Sequence, residues 1–176
     1  MAIDIPSLVV AAGGELVGKV RLQKMVYLLD QLGLKSGYTY EYHHYGPYSE
    51  DLAEQTDDDV VFGRLRAKWM HRQSDGAPYV AYSAAAGPDQ GLEGDRLRKA
   101  LVEMQSTSAT VLELAATMHW LFHVERMENW HGELIRRKGI KCENGREQKA
   151  LELLKALSLP PAVTSDKAQH MKAASL

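Results

Sequence analysis

Residues 42–52, YHHYGPYSEDL, contain the clearest local signals for secondary structure in the first half of the chain. Before it, Tyr38–His43 alternates and is rich in aromatic residues, which is typical of an extended strand. Gly46-Pro47 breaks that segment, because glycine permits a sharp turn and proline removes a hydrogen-bond donor. Ser49 then stands as the N-cap of a helix with an acidic first turn. The stretch therefore predicts a strand, a turn and a helix over residues 48–61.

The flanking segments extend this pattern in both directions. Upstream, Ile5–Ala12 is predicted to be a short helix, and Val20–Leu32 carries apolar residues at helical spacing. Downstream, Leu65–Arg72 and Pro78–Ser83 are predicted strands joined by the turn Ser74-Asp75-Gly76. Helix, helix, helix, hairpin is the element order of a winged helix-turn-helix.

The second half is predicted to be entirely helical, with helices over residues 92–105, 107–127, 130–138 and 146–157. The helix over 107–127, with Ser108 or Thr107 as its expected N-cap, has almost no polar face, which predicts a central, buried position. A run of small residues with Gly and Pro over 83–91 predicts a linker. The predicted fold is mainly α with a small β-hairpin, and its parts are a winged-helix-like region (1–86), a helical extension packed on it (87–160) and a flexible tail (161–176).

Composition excludes several classes of protein. The 176 residues are 45% hydrophobic and 25% charged, which is typical of a folded chain and unlike a disordered one. The net charge of −2 argues against a generally basic nucleic-acid-binding surface. The single cysteine, Cys142, excludes an internal disulfide framework. The N-terminus lacks the basic region of a signal peptide, and His119 and His123 interrupt the longest apolar stretch. We therefore predict a cytoplasmic protein that does not span a membrane.

The predicted third helix is strongly acidic. It has no Lys or Arg and six acidic residues, hence a formal charge of −6: Glu50, Asp51, Glu54, Asp57, Asp58 and Asp59. DNA binding depends on cations that replace counterions at phosphates, and this helix reverses that contribution. The helix instead predicts a contact surface for a basic partner protein.

The predicted hairpin is basic, with Arg64, Arg66, Lys68 and Arg72. These residues are the alternative contact surface, for DNA phosphates. The competing interpretation is structural, since the same arginines can pair with Asp57–Asp59. Lys19, Arg21 and Lys24 form a further small basic cluster that can meet the same acidic helix.

Five of the eight tyrosines lie within the eleven residues 38–48. Tyrosine offers rigid area and a hydrogen bond, and it is enriched at protein interfaces. Alternation gives such a segment two faces, so we predict that one face packs on the core and the other contacts a partner. Tyr45 and Tyr48 join the acidic helix in the predicted contact surface. The sequence leaves a homodimer open.

Signals for catalysis or metal binding are weak. His119 and His123 have the i, i+4 spacing of two zinc ligands, and His131 lies nearby in sequence. A zinc site needs three or four ligands, and the position after His119 holds Trp120 and not the Glu of a metalloprotease helix. Glu113 lies in the most apolar helix, and it is expected to accept hydrogen bonds from backbone or tyrosine groups or to reach solvent. We predict no cofactor, no metal and no enzymatic activity.

GKVRLQKMVYLL (18–29) resembles an opening-helix motif K-L-Q-K-L-x-Y-L, and residues 42–52 resemble the motif Y-G-P-Y-S-x-x-L that follows it. Through these two motifs the chain resembles the YwgA-like bacterial family. Residues 112–117 are similar to the family's central-helix motif. The resemblance spans about residues 15–158 and extends more distantly to the Panacea (SocA-like) antitoxin domain and to the C-terminal domain of DarG-type antitoxins.

The resemblance implies a regulatory module, because these antitoxins neutralise a toxin by protein contact. The same motif residues also have a purely structural interpretation, in which the helix locks the turn and the turn caps the next helix. Both interpretations stay open for the motif residues Leu22, Gln23, Lys24, Tyr27, Gly46, Pro47 and Ser49.

Overall fold

The computed structural model describes residues 4–84, 92 and 94–161. Within them the chain is mainly helical, with two small antiparallel sheets. The elements in chain order are α1 (Ile5–Ala11), β1 (Glu15–Val17), α2 (Lys19–Gln31), β2 (Glu41–His43), β3 (Gly46–Tyr48), α3 (Glu50–Val61), β4 (Leu65–His71), β5 (Pro78–Ala84), α4 (Asp95–Ser106), α5 (Ala109–His119), α6 (Trp130–Lys138) and α7 (Arg146–Leu157). A π-helical turn (Trp120–Val124) follows α5, and a 3-10 turn (Gly139–Cys142) follows α6.

The larger sheet has the strand order β1-β5-β4. It contains the predicted hairpin of β4 and β5, and Tyr82 of β5 lies between Ala67 and Leu16. The strand β1 is not predicted from the sequence, because three residues are too few to show a period of two.

The smaller sheet pairs β2 with β3 and sets Tyr42 opposite Pro47. The prediction that Gly46-Pro47 ends the extended segment is therefore wrong, since this dipeptide begins the partner strand. A two-stranded sheet has only edge strands, where proline is tolerated because its missing N–H can face away from the partner.

Side chains cap four of the described helices, including α6, where Asn129 Oδ1 accepts the Gly132 N–H at 3.2 Å. Ser49 Oγ accepts the Leu52 N–H at 3.3 Å, and Ser108 Oγ accepts the Val111 N–H at 3.3 Å, so both predicted caps are confirmed. Asp4 Oδ1 caps α1 in the same way. Each such cap satisfies a backbone donor that has no partner inside its helix and contributes about 1 kcal/mol.

The helix α5 is the centre of the core. All its residues from Val111 to His119 are buried, and it packs against α2, α6 and α7. It ends earlier than Met127, where the sequence predicts its end. The chain widens into the π-helical turn, where the Glu125 N–H bonds the Trp120 carbonyl at 3.0 Å and Trp120 Nε1 donates to the Glu125 carboxylate at 2.9 Å. These bonds replace the regular hydrogen bonds of an α-helix, which join each N–H to the carbonyl four residues earlier.

The helix α2 is more buried than its predicted single apolar face requires. Leu22 to Leu29 are all buried, because α4, α5 and β3 cover different sides of the helix. No described helix combines the length and the apolar character that a bilayer span requires. The predicted tail lies outside the described residues apart from Pro161, and so does the predicted linker beyond Ala84.

Candidate functional site

The turn that leads into α3 is held on α2 by two buried side chains. Gln23 Nε2 donates to the Ser49 carbonyl at 2.9 Å, and Gln23 Oε1 accepts the Ser49 N–H at 2.9 Å. Lys24 Nζ donates to the Pro47 carbonyl. Gln23 is 4% and Lys24 1% exposed, so water does not compete for these bonds. The motifs at 18–29 and 42–52 therefore meet in space.

Gly46 brings the same turn against α5. Its φ of +89° lies in the region that favours glycine, and a Cβ at this position would lie 2.6 Å from Thr117 Oγ1. Thr117 Oγ1 is held in place because it donates to the Glu113 carbonyl at 2.8 Å. The close approach of the turn to α5 therefore requires glycine.

A buried charge cluster lies beside this contact. The Glu113 carboxylate accepts hydrogen bonds from Lys138 Nζ at 2.8 Å and from Lys141 Nζ at 2.8 Å. Lys138 Nζ also donates to the His44 carbonyl at 2.9 Å, which connects the cluster to the turn. The expectation that backbone or tyrosine groups satisfy Glu113 is wrong, because α6 and the 3-10 turn deliver two lysines.

The cluster holds more positive than negative charge. Burial lowers the pKa of Lys24 to about 7, Glu113 opposes this effect, and Lys138 and Lys141 add to it. Burial also lowers the pKa of Lys138, again against the effect of Glu113. Glu113 is therefore the charge that keeps this cationic interior in place.

A groove of about 340 Å³ runs between α2 and α3. Its lining is mostly apolar, and α3 adds a row of carboxylates at the spacing i, i+4, i+7, which lies on one helix face. The residues that line it are Lys19, Val20, Leu22, Gln23 and Lys24 of α2, Tyr45 and Tyr48 of the turn, Glu50, Ala53, Glu54, Thr56 and Asp57 of α3, and Tyr82 of β5.

The six carboxylates of α3 divide into three kinds. Asp59 is 1% exposed and accepts hydrogen bonds from Arg64 at 2.7 Å and Gln55 at 3.0 Å, so its prediction as a contact residue is wrong. Asp57 is exposed and lies 3.5 Å from Lys19 Nζ, an ion pair of a kind that contributes little. The other four are exposed and form no ion pair within the described residues: Glu50, Asp51, Glu54 and Asp58.

The tyrosine-rich segment divides into residues that pack inside the protein, Tyr40 and Tyr42, and residues that line the groove, Tyr45 and Tyr48. Tyr40 donates to the Asp30 carboxylate at 2.9 Å, and the Tyr42 ring lies 4.3 Å from the Arg137 guanidinium. Tyr45 is 49% exposed, with its ring 4.7 Å from Lys141 Nζ. The half-buried Tyr48 lines the groove, and burial, with the nearby Glu50 adding to it, raises its pKa.

These motifs and the groove that they build can be compared with known proteins. No protein-family model matches the chain. The chain is similar to YwgA of Bacillus subtilis strain 168. The two are 25% identical over 154 residues, which cover 82% of this chain and 89% of YwgA. YwgA is itself an uncharacterized protein, so the comparison supports the YwgA-like resemblance and brings no activity with it.

The basic hairpin is partly neutralised within the chain. Arg64 Nε donates to Asp59, and Arg72 Nε donates to Asp75 at 2.9 Å. Arg66 and Lys68 are exposed and make no ion pair in the part of the chain that the structure describes. Arg64 therefore pairs with the acidic helix, as the structural interpretation predicts. The side chains of Arg66 and Lys68 stay available for a ligand.

The rings of His119 and His123 lie close together, with 5.0 Å between their centres. His119 is buried, and its Nδ1 shares a hydrogen bond of 2.7 Å with the Tyr27 hydroxyl. Burial lowers the pKa of His119 to about 4, and His123 adds to this effect. His131 instead bonds the Glu147 carboxylate at 2.7 Å. Across the described residues, no three His, Cys, Asp or Glu side chains form a group that could hold a metal ion.

Several residues of the site are not predicted from the sequence. Val20 and Tyr82 line the groove, and Lys138 and Lys141 hold Glu113 beside the turn. Tyr82 reaches the groove through the pairing of β5, and the lysines reach Glu113 through the packing of α6 and the 3-10 turn on α5. None of these contacts leaves a local signal in the sequence.

Proposed function

We propose that this chain is a non-enzymatic module that binds another protein through the exposed acidic surface of α3 and the adjoining α2–α3 groove. The observation that carries the proposal is a set of exposed carboxylates without ion pairs in the described residues, next to two groove tyrosines. Such a surface is complementary to a basic partner. The proposed contact residues are Glu50, Asp51, Glu54, Asp58, Tyr45 and Tyr48.

A winged-helix-like arrangement of the N-terminal half is part of the proposal. The order α1, α2, α3 and hairpin supports it, together with β1, which joins the hairpin in the sheet β1-β5-β4. In winged-helix proteins that bind DNA, the helix equivalent to α3 enters the major groove. Here that helix carries six carboxylates and no cation, which favours a protein as its partner.

We further propose a class for this partner protein, namely a cognate toxin. It rests on the resemblance of residues 18–29 and 42–52 to the Panacea and DarG-type antitoxin domains. The charge of α3 agrees with it, because a row of carboxylates can occupy a basic groove in place of nucleic-acid phosphates.

Reversal of two exposed charges tests the proposal. We expect Glu54→Lys/Asp58→Lys to reduce capture of the partner by about tenfold or more, since each reversed charge turns an attraction of about 1 kcal/mol into a repulsion. The capture is measured with the full chain as bait for the product of the neighbouring gene and for extracts of the source cells. Both residues are exposed and unpaired in the described part of the chain, so the melting temperature should stay within about 2 °C of wild type.

The matched control is Glu128→Lys/Glu143→Lys, which makes the same change of net charge at exposed residues outside the groove. The control should capture the partner as wild type does. Equal capture by all three proteins would contradict the proposed contact surface.

A DNA-binding regulator is the second candidate, because Arg66 and Lys68 are exposed on the edge strand β4. It predicts that the protein retards duplex DNA in a gel at about 50 mM salt, and that Arg66→Glu/Lys68→Glu abolishes the shift. Its affinity would fall with the logarithm of salt concentration by a slope of about −0.9 for each phosphate contacted. The absence of any shift at this salt concentration would eliminate the candidate.

A further inference from the structure

We infer that the α2–α3 groove accepts an extended basic segment of the partner protein, in which cationic side chains at alternate positions meet Glu50 and Glu54. The inference rests on the proposed function, and it adds the conformation and the residue spacing of the bound segment.

The spacing of the carboxylates favours an extended chain. Residues four apart on a helix are separated by about 6 Å along its axis, and Glu50 and Glu54 line the groove at this spacing. In an extended chain, side chains two residues apart point to the same side and are separated by about 6.6–6.8 Å. Two cations at positions i and i+2 therefore match the two carboxylates. Adjacent cations would point to opposite sides.

The length of the groove fits a short extended segment. From Glu50 to Asp57 the groove wall follows α3 for about 10.5 Å. An extended segment of about three to four residues covers the same length. The residue between the two cations faces away from α3, toward a lining that includes Val20 and Leu22.

The ends of the groove limit the cationic positions to two. Lys19 pairs with Asp57 at 3.5 Å and lies 5.8 Å from the Trp69 ring, so a cation at this end would meet a positive charge. At the other end, Tyr48 stacks on His43, with a separation of 4.8 Å between ring centres, and lies near Glu50. The ammonium group of Lys24 donates to the Pro47 carbonyl and is 1% exposed. Among the described residues, the groove carboxylates that form no ion pair are therefore Glu50 and Glu54.

Two synthetic peptides of identical composition test the spacing. Fluorescein-labelled GTRVRVTG places its arginines two apart, and GTRRVVTG places them side by side. By fluorescence anisotropy at about 0.15 M salt, we expect the first peptide to bind about tenfold tighter, because only its arginines can meet both carboxylates at once. Glu50→Lys/Glu54→Lys should remove the difference, and Glu128→Lys/Glu143→Lys should preserve it.

Equal affinities for the two peptides, or no binding of either, would overturn the inference. The capture experiment with Glu54→Lys/Asp58→Lys is independent of the peptides, so it still decides whether α3 contacts a partner in another way. Sedimentation of the full chain tests whether a second copy of this chain occupies the groove instead. A dimer that Glu50→Lys/Glu54→Lys dissociates would show a second copy in the groove and would likewise overturn the inference.

Discussion

Replacement of Glu113 by glutamine should lower the free energy of unfolding by about 3–5 kcal/mol, the usual cost of removing one partner from a buried ion pair. The Lys138 side chain is 1% exposed, and its ammonium group bonds only Glu113 and the His44 carbonyl within the described residues. The variant Glu113→Gln keeps the shape of the side chain and removes its charge. The ammonium groups of Lys138 and Lys141 then lose their shared counter-charge. The loss is measured by urea unfolding.

Two further variants separate the charge effect from general damage. Glu143→Gln makes the same chemical change at an exposed residue and should alter stability by no more than about 0.5 kcal/mol. Glu113→Gln/Lys138→Met removes the stranded cation as well, so it should be more stable than Glu113→Gln alone. A loss below about 1 kcal/mol in Glu113→Gln would show that the lysines are not held by this carboxylate.

The features that the sequence predicts correctly are local. Ser49 and Ser108 precede helices whose first turns need an acceptor, and both cap them. The hairpin of β4 and β5 follows from two short strands around a turn, and all of its pairing lies within residues 65–84. Such features need no knowledge of the rest of the chain, because neighbouring residues supply both partners.

The features that the sequence does not predict depend on distant parts of the chain. In the sequence Lys24 resembles an ordinary surface cation on an amphipathic helix, yet the turn at Pro47 and the packing of α5 bury it completely. The partners of Glu113 come from residues 25 and 28 positions later. A charged residue inside an apolar pattern indicates that polar or oppositely charged partners surround it in the fold. The pattern does not identify which residues those partners are.

The site itself can be predicted only in part from the sequence. The six carboxylates of α3 are evident, but charge alone does not distinguish an exposed acid from a buried one. Helical periodicity distinguishes the two, because Leu52, Thr56 and Asp59 have the spacing i, i+4, i+7 and form the buried face of α3. Asp59 belongs to this face and meets Arg64 there. The groove, in contrast, exists only through the packing of α2 against α3 and β5.

A second large effect is expected from Gly46→Ala, which should lower the free energy of unfolding by about 2–5 kcal/mol. A positive φ costs a residue with a Cβ about 1–2 kcal/mol, and the contact of 2.6 Å with Thr117 Oγ1 adds an overpacking cost of about 1–3 kcal/mol. Urea unfolding measures the sum. The turn that would be displaced also carries Tyr45 and Tyr48 into the groove, so the variant should also bind the partner more weakly at temperatures where it is still folded.

Gly63→Ala is the matched control for this prediction, because Gly63 also has a positive φ, of +72°, but nothing lies within 4 Å of the position that a Cβ would occupy there. It should show only the backbone cost, so the difference between the two variants measures the clash with α5. Thr117→Ala removes the clashing oxygen. A double-mutant cycle of Gly46→Ala and Thr117→Ala should therefore yield a favourable coupling of about 1 kcal/mol or more. If Gly46→Ala costs no more than Gly63→Ala, the turn can move away from α5 without penalty, and the position of the groove tyrosines is not set by this contact.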